Sequence, residues 1–226
     1  MEKLFDKYGV ILTDNQKKKF EKYYELLTFY NEKFNITAIT EKNEVIIKHF
    51  IDSALGQEKV GDGTLIDIGS GGGFPAIPLK IMNDKLNVTL LEATGKKCEF
   101  LKVVIKELEL KDINVLNGRA EDFSKDKNYR EKFDICTARA VAKLNTLCEY
   151  CLPFVKVGGK FVAYKGDAKE EVKEAKNAIT VLGAKLREEY YYDLEEFSRA
   201  LITIEKVKNT DLKYPRGNGK ERKNPL

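Results

Sequence analysis

The run Leu65–Leu79, LIDIGSGGGFPAIPL, holds the residues of this chain most suited to chemistry. An apolar segment ends at Asp67 and Ile68, and Gly69, Gly71, Gly72 and Gly73 then let the backbone turn sharply and approach a ligand with no β-carbon in the way. A phosphate-cradling loop would continue into Gly-Lys-Ser/Thr, whereas this one runs into Phe74-Pro75 and carries no basic residue. It suits a ligand with an ammonium, met by Asp67 or by carbonyl groups, and a carboxylate, met by backbone N–H groups. S-adenosylmethionine, which has both groups and a sulfonium but no phosphate, is such a ligand.

Three later positions extend the same reading. Glu92 closes the segment NVTLLE, where its carboxylate can accept both ribose hydroxyls of an adenosine laid over the strand ends; a solvated glutamate leading a helix is the plainer account. In Gly118-Arg119-Ala120-Glu121, the N–H of Ala120 and the side chain of Glu121 can address an adenine edge. Arg139 interrupts the apolar and small run ICTARAVA, and a charge there has a partner or faces a cleft. It holds a methionine carboxylate, an RNA backbone or an internal salt bridge. His49, the only histidine, stands with Asp52 and Ser53 as a hydrogen-bonded cluster placed on the substrate-side wall.

Other chemistries find little support. Cys148-x-x-Cys151 lacks two further ligands for zinc, since Cys98 and Cys136 stand apart, so no metal is expected and all four thiols read as free and buried. The pair also lies inside an apparent helix, LNTLCEYCLPF, and not at a helix N-terminus where a thiolate would be stabilised.

These residues need a scaffold that alternates strands and helices. After a capping box at Thr13 and Gln16, the residues Phe20, Tyr23, Tyr24, Leu27 and Tyr30 recur at helical spacing, and Thr40 is positioned to cap a second helix. From Thr64 the pattern becomes β/α. Strands are predicted at TLIDIG, NVTLLE, INVLNG, FDICTA and KFVAYK, the last after a turn at Gly158 and Gly159. Helices are predicted over Phe74–Met82, Lys96–Leu108 and Lys169–Leu182, and two closing β segments, Lys185–Tyr192 and Ala200–Lys206, favour a hairpin. Apolar strands separated by helices imply a largely parallel sheet covered on both faces. The expected organisation is a helical extension over 1–60, an α/β domain over 61–207 and a basic arm over 208–226.

Net charge is only +4, but the stretch after Glu205 carries seven Lys and Arg against Asp211 and Glu221. Such a tail is a solvated end or a phosphate-contacting arm. Cations expected near a nucleic-acid substrate are Lys96, Lys97, Arg139, Lys165, Arg216, Lys220, Arg222 and Lys223, with Lys165 and Arg216 preferred because each follows an apolar or aromatic run. No segment has the apolar length of a membrane span, and the opening MEKLFDKYGV lacks the features of a signal peptide, so a cytoplasmic protein is expected.

The motifs NITAIT, His49-x-x-Asp52-Ser53, DIGSGGGFPAIPL, GRAE, TARAVA and YPR together resemble the small-subunit ribosomal RNA guanine-N7 methyltransferase family, also called glucose-inhibited division protein B. The resemblance implies a class I S-adenosylmethionine-dependent methyltransferase fold, a seven-stranded mostly parallel sheet with an added N-terminal helical extension. It implies methyl transfer to N7 of one guanosine in 16S rRNA, with the small ribosomal subunit or its assembly intermediate as partner. It also implies cofactor contacts at Gly69, Phe74, Ala120, Glu121 and Arg139; where many members carry an Arg-rich stretch and a Thr-Pro pair, this chain has Gly217-Asn218-Gly219-Lys220. Guanine N7 already offers a lone pair, so no general base, and no catalytic side chain, is expected. A monomer with no DNA or membrane partner completes the expectation. Competing readings are a methyltransferase for another RNA, a protein or a small molecule, a nicotinamide-dependent dehydrogenase, and a non-catalytic RNA-binding protein.

Overall fold

Helix α2 (Asp14–Phe34) shows how the N-terminal third is built. Gln16 Oε1 accepts the Thr13 N–H at 2.9 Å, and Thr13 Oγ1 accepts the Gln16 N–H at 3.3 Å, so the capping box closes as the sequence indicates. Phe20, Tyr23 and Leu27 are buried and Tyr24 and Tyr30 half-buried, which turns the aromatic stripe into packing surface. The computed structural model describes all 226 residues. A short α1 (Glu2–Lys7) precedes α2, and α3 (Lys42–Val45) follows it. The cap of α3 is Glu41 and not Thr40, because the Glu41 carboxylate reaches the Glu44 N–H at 2.8 Å. The chain then widens into a π-helical turn, Ile46–Ile51, before α4 (Asp52–Ala54) and α5 (Gln57–Val60).

The α/β part runs β1 (Thr64–Ile68), α6 (Ala76–Met82), β2 (Asn87–Glu92), α7 (Gly95–Glu107), β3 (Ile113–Asn117), α8 (Ala120–Phe123) and β4 (Phe133–Arg139). It continues as α9 (Leu144–Cys151), β5 (Val155–Lys165), α10 (Lys169–Glu174), α11 (Lys176–Val181), β6 (Ala184–Leu194), β7 (Phe197–Lys206) and α12 (Lys220–Lys223). The seven strands lie in the order β3-β2-β1-β4-β5-β7-β6. The first five are parallel, and β7 pairs antiparallel with both β5 and β6.

Three local expectations change. Strand β5 starts at Val155 and runs through Gly158 and Gly159, because a register shift against β4 between Phe133 and Ile135 absorbs the glycines. A Cβ at Gly159 would stand 2.6 Å from the Asp134 carbonyl oxygen, so strand and glycine are compatible only in this bulged form. The helix predicted over 169–182 is interrupted at Ala175. The closing hairpin turns on Glu195 and Glu196 alone, which draws most of the predicted connection into strand pairs such as Leu194 with Phe197.

One apolar core lies on each face of the sheet. Phe5, Phe20, Tyr23 and Phe50 belong to the same cluster as Leu65, Val88 and Leu101, so the N-terminal helices roof one face. Helices α9, α10 and α11 cover the other, with Cys136, Cys148 and Cys151 inside. The C-terminal arm is folded against the body and is not a solvated end. Arg130 donates to the carbonyls of Ser124, Thr210, Asp211 and Tyr214, and Thr146 Oγ1 donates to the Glu221 carbonyl at 2.9 Å. No helix is long and apolar enough to cross a membrane.

Candidate functional site

The turn after β1 is fixed by its glycines and by what they touch. Gly69 has φ +70°, and a Cβ there would stand 2.7 Å from a Val141 methyl; at Gly73, φ +94°, it would stand 2.5 Å from Ile77 and 2.6 Å from the Tyr23 hydroxyl. Tyr23 donates its hydroxyl to the Gly72 carbonyl, so the N-terminal helices hold the loop from behind. Glu92 holds it from the side, accepting the Gly71 N–H at 2.9 Å through one oxygen and the Thr94 N–H at 2.8 Å through the other. A carboxylate has about four lone-pair positions, so two remain for further donors.

Beside this turn lies a cavity of about 340 Å³ across the carboxyl ends of β1, β2 and β3, within the roughly 300–1,000 Å³ of small-ligand sites. Gly69, Ala120 and Glu121 line it, as do Ile68, Leu91 and Ala93. Glu92 sits between two of these wall residues and is 7% exposed. Five predicted residues are not on the wall: Asp67, Gly71, Phe74, Glu92 and Arg139, of which Glu92 stands just behind it. Asp67 is fully buried below the turn, where Oδ1 accepts from Thr137 Oγ1 at 2.7 Å and Oδ2 has no partner. Burial holds its carboxyl up at about 7, against the opposing hydrogen bond from Thr137.

Phe74 and Arg139 belong to a second cluster next to the cavity. Arg139 donates to Asp52 Oδ2 at 3.1 Å and to the Lys48 carbonyl at 3.0 Å, and its guanidinium lies 5.0 Å above the Phe74 ring. Its other terminal nitrogen is 3.0 Å from His49 Nδ1. Arginine has no acceptor, so Nδ1 supplies the lone pair and Nε2 carries the proton, which it donates to Thr37 Oγ1 at 2.8 Å. The 3.2 Å approach of Nδ1 to the Lys48 carbonyl is then a contact between two acceptors that share the guanidinium. Burial first, and Arg139 second, lower the His49 pKa to about 3, so the ring is neutral at ordinary pH. It stacks on Phe74 at 4.5 Å between centroids.

Of the expected cluster, His49 and Asp52 are therefore joined through Arg139, and Ser53 is tied in only through the His49 backbone. Asp52 also accepts the Tyr192 hydroxyl at 2.9 Å, while Ser53 donates to the His49 carbonyl at 2.6 Å and accepts Tyr164 on its own carbonyl. Of the three partners the sequence left open for Arg139, the structure shows the internal salt bridge, to Asp52.

Lys165 and Arg216, the two preferred cations, are already engaged. Lys165 pairs with Glu171 at 2.8 Å and donates to the Ala142 carbonyl, leaving its side chain 10% exposed. Arg216 grips buried Glu149 through Nε and a terminal nitrogen, 2.8 Å at the closest. Their charges tie together α9, α10 and the arm, and neither is a free cation.

Sequence reading missed five wall residues or their place: Ala93, Val141, Tyr150, Gly219 and Arg222. Tyr150 lies in the amphipathic pattern of α9, which signals core and nothing more. All four cysteines are free and buried, and no group of His, Cys, Asp and Glu is arranged to hold a metal ion.

A parallel sheet that turns antiparallel at one edge, with a glycine turn at the end of its central strand, defines a class I methyltransferase fold. An S-adenosylmethionine-dependent methyltransferase from Aquifex aeolicus superposes with a TM-score of 0.56 at 15% identity, covering 75% of this chain and 96% of that one. Precorrin-6y C5,15-methyltransferase from Geobacter metallireducens gives 0.52 at 14% identity over 70% of this chain and 88% of its own. Likeness at that identity establishes the fold.

The family follows from the sequence comparisons. The model of the GidB family, rRNA small subunit methyltransferase G, matches residues 16–202. Ribosomal RNA small subunit methyltransferase G of Alkaliphilus metalliredigens is 48% identical over 224 residues, 96% of this chain and 94% of that protein. Its namesake in Streptococcus gordonii is 47% identical over 229 residues, covering 99% and 97%. The chain belongs to the rRNA small subunit methyltransferase G family.

Proposed function

We propose that this protein transfers a methyl group from S-adenosylmethionine to N7 of a guanosine in the 16S RNA of the small ribosomal subunit, in the cytoplasm. The observation that carries the reading is the cavity over β1, β2 and β3, bordered by a turn whose Gly69 has no room for a side chain and by a carboxylate with two free acceptor positions.

The residues present fit the donor. Glu92 accepts the ribose hydroxyls with the lone pairs left by Gly71 and Thr94. Ala120 and Glu121 meet the adenine edge, Gly69 and Gly71 let the amino-acid end come close to the backbone, and Asp67 offers its unpartnered Oδ2 from below. When bound, S-adenosylmethionine supplies a methyl carbon on a sulfonium, open to in-line displacement.

The guanine side belongs to the neighbouring cluster. Arg139 and Phe74 are the members of that cluster assigned to the donor as well, with His49, Asp52 and Ser53 packed around them to shape the wall that receives the base. Attack by N7 releases no proton, so a neutral His49 held far below its usual range is compatible with the reaction. What the chain contributes is alignment of nitrogen, methyl carbon and sulfur and exclusion of water. Phosphate contacts fall to cations without an internal carboxylate partner, such as Lys96 and Lys97 at the start of α7, with Lys165 and Arg216 shaping the surface from within.

The test is incubation of the protein as a monomer with labelled S-adenosylmethionine and either intact small subunits or naked 16S RNA, followed by mapping of the modified base by mass spectrometry. Label on a guanine N7 is expected. Label on neither substrate would overturn the proposal.

A further inference from the structure

The C-terminal arm, read from the sequence as a solvated end or a phosphate-contacting arm, reaches the donor cavity. Gly219 and Arg222 form part of its wall together with Val141 and Tyr150. The segment is held there by a built anchor: Glu149 accepts from the Arg216 N–H and guanidinium, fully buried Glu221 accepts the Gly217 N–H, and Thr146 Oγ1 donates to the Glu221 carbonyl. Gly219, at φ +72°, lets the chain reverse so that α12 starts beside the opening.

Arg222 differs from the other cations of the arm that are tied into the fold. It forms no ion pair; its only directed contact is a long one, 3.4 Å, to the Val141 carbonyl. It shares the cavity wall with buried Tyr150, whose phenol is raised by burial first, with the nearby Arg222 charge lowering it and Glu121 raising it. Glu121 of α8, Tyr150 and Arg222 all line this one cavity.

We propose that Arg222 is a donor-binding residue, closing the adenosine end of the cavity with its guanidinium directed at the ring. Adenine offers N3 and N7 as acceptors, and an unpaired guanidinium offers five N–H donors and a flat face. The arm is then a structural part of the cofactor site.

This inference rests on the proposed binding of S-adenosylmethionine, and its test separates the two. Isothermal titration with S-adenosylhomocysteine and with 5′-methylthioadenosine, which lacks the amino-acid end, is run on wild type, R222A, R222K and K223A, each checked for an unchanged melting temperature. Lys223 is exposed on the same helix but is not on the cavity wall. The expectation is that R222A weakens both ligands alike, by about tenfold for loss of one good hydrogen bond, with partial recovery in R222K and no change in K223A. Loss of S-adenosylhomocysteine affinity alone would move Arg222 to the amino-acid end and overturn the assignment. Unchanged affinity for both, or an equal loss in K223A, would also overturn it, as would R222A lowering only RNA affinity. If wild type bound neither ligand, the donor reading itself would fail.

Discussion

Gly69 is the residue on which the donor site is most sharply conditional. A side chain there meets Val141 at 2.7 Å and is strained at φ +70°. Gly69→Ala is expected to lower affinity for S-adenosylhomocysteine by more than about tenfold in titration calorimetry, a free-energy change above about 1.4 kcal/mol. Two buried titratable groups give opposite pH dependences. His49 stays neutral in the fold but charges near 6.5 when unfolded, so the unfolded chain binds more protons below that value. Stability from this residue is present above about pH 6.5 and is lost as pH falls towards 3. Asp67 keeps its proton up to about 7 in the fold, against 3.8 as the ordinary value, so its contribution declines as pH rises from about 4 to 7. Urea melts of wild type and Asp67→Asn between pH 4 and 8 should show the variant lacking that decline; parallel curves would remove Asp67 from the account. If Asp67 faces the donor ammonium, donor binding at pH 6 should also release protons, read from calorimetry in buffers of different ionisation enthalpy.

At the scale of elements, two cations expected to meet RNA act instead as joints within the fold. Glu149, 1% exposed in α9, is the anchor for Arg216 and so for the arm. Removing it strands a part-buried guanidinium, and Glu149→Ala is expected to destabilise the protein by about 2 kcal/mol, below the roughly 3–5 of a fully buried pair because Arg216 retains some access to water. Chemical denaturation measures this, and donor affinity should fall with it, since the same anchor positions α12. The wide turn before α4 works similarly for the substrate side, setting His49 against Phe74 and Asp52 against Arg139. His49→Ala should reduce methylation of RNA by a larger factor than its loss of stability explains; a proportionate loss of both would leave only a packing role.

For the whole molecule, the modest net charge matters less than which cations remain unpaired. Lys165 and Arg216 are neutralised internally, whereas Lys96 and Lys97 form no ion pair beside the strand ends. RNA affinity should fall steeply with salt, and Lys96→Ala with Lys97→Ala should flatten the log–log slope by about one unit per lost phosphate contact. An unchanged slope in binding assays from low to physiological salt would place the RNA elsewhere.

Local physics determined much of this in advance. Glycines that must adopt positive φ, a capping box that closes within four residues, and apolar runs that alternate with helical periodicity are readable because each depends on neighbours in the chain. That is why β1, its turn, Glu92 at the end of β2 and the closing hairpin were legible. What the sequence left open was set by contacts between distant segments: Arg139 choosing Asp52 and His49, some 90 positions away, or the arm returning to Tyr150. Side-chain charge and aromatic spacing carry no record of such partners. Only the folded chain decides which cation is spent in the interior and which faces the cavity.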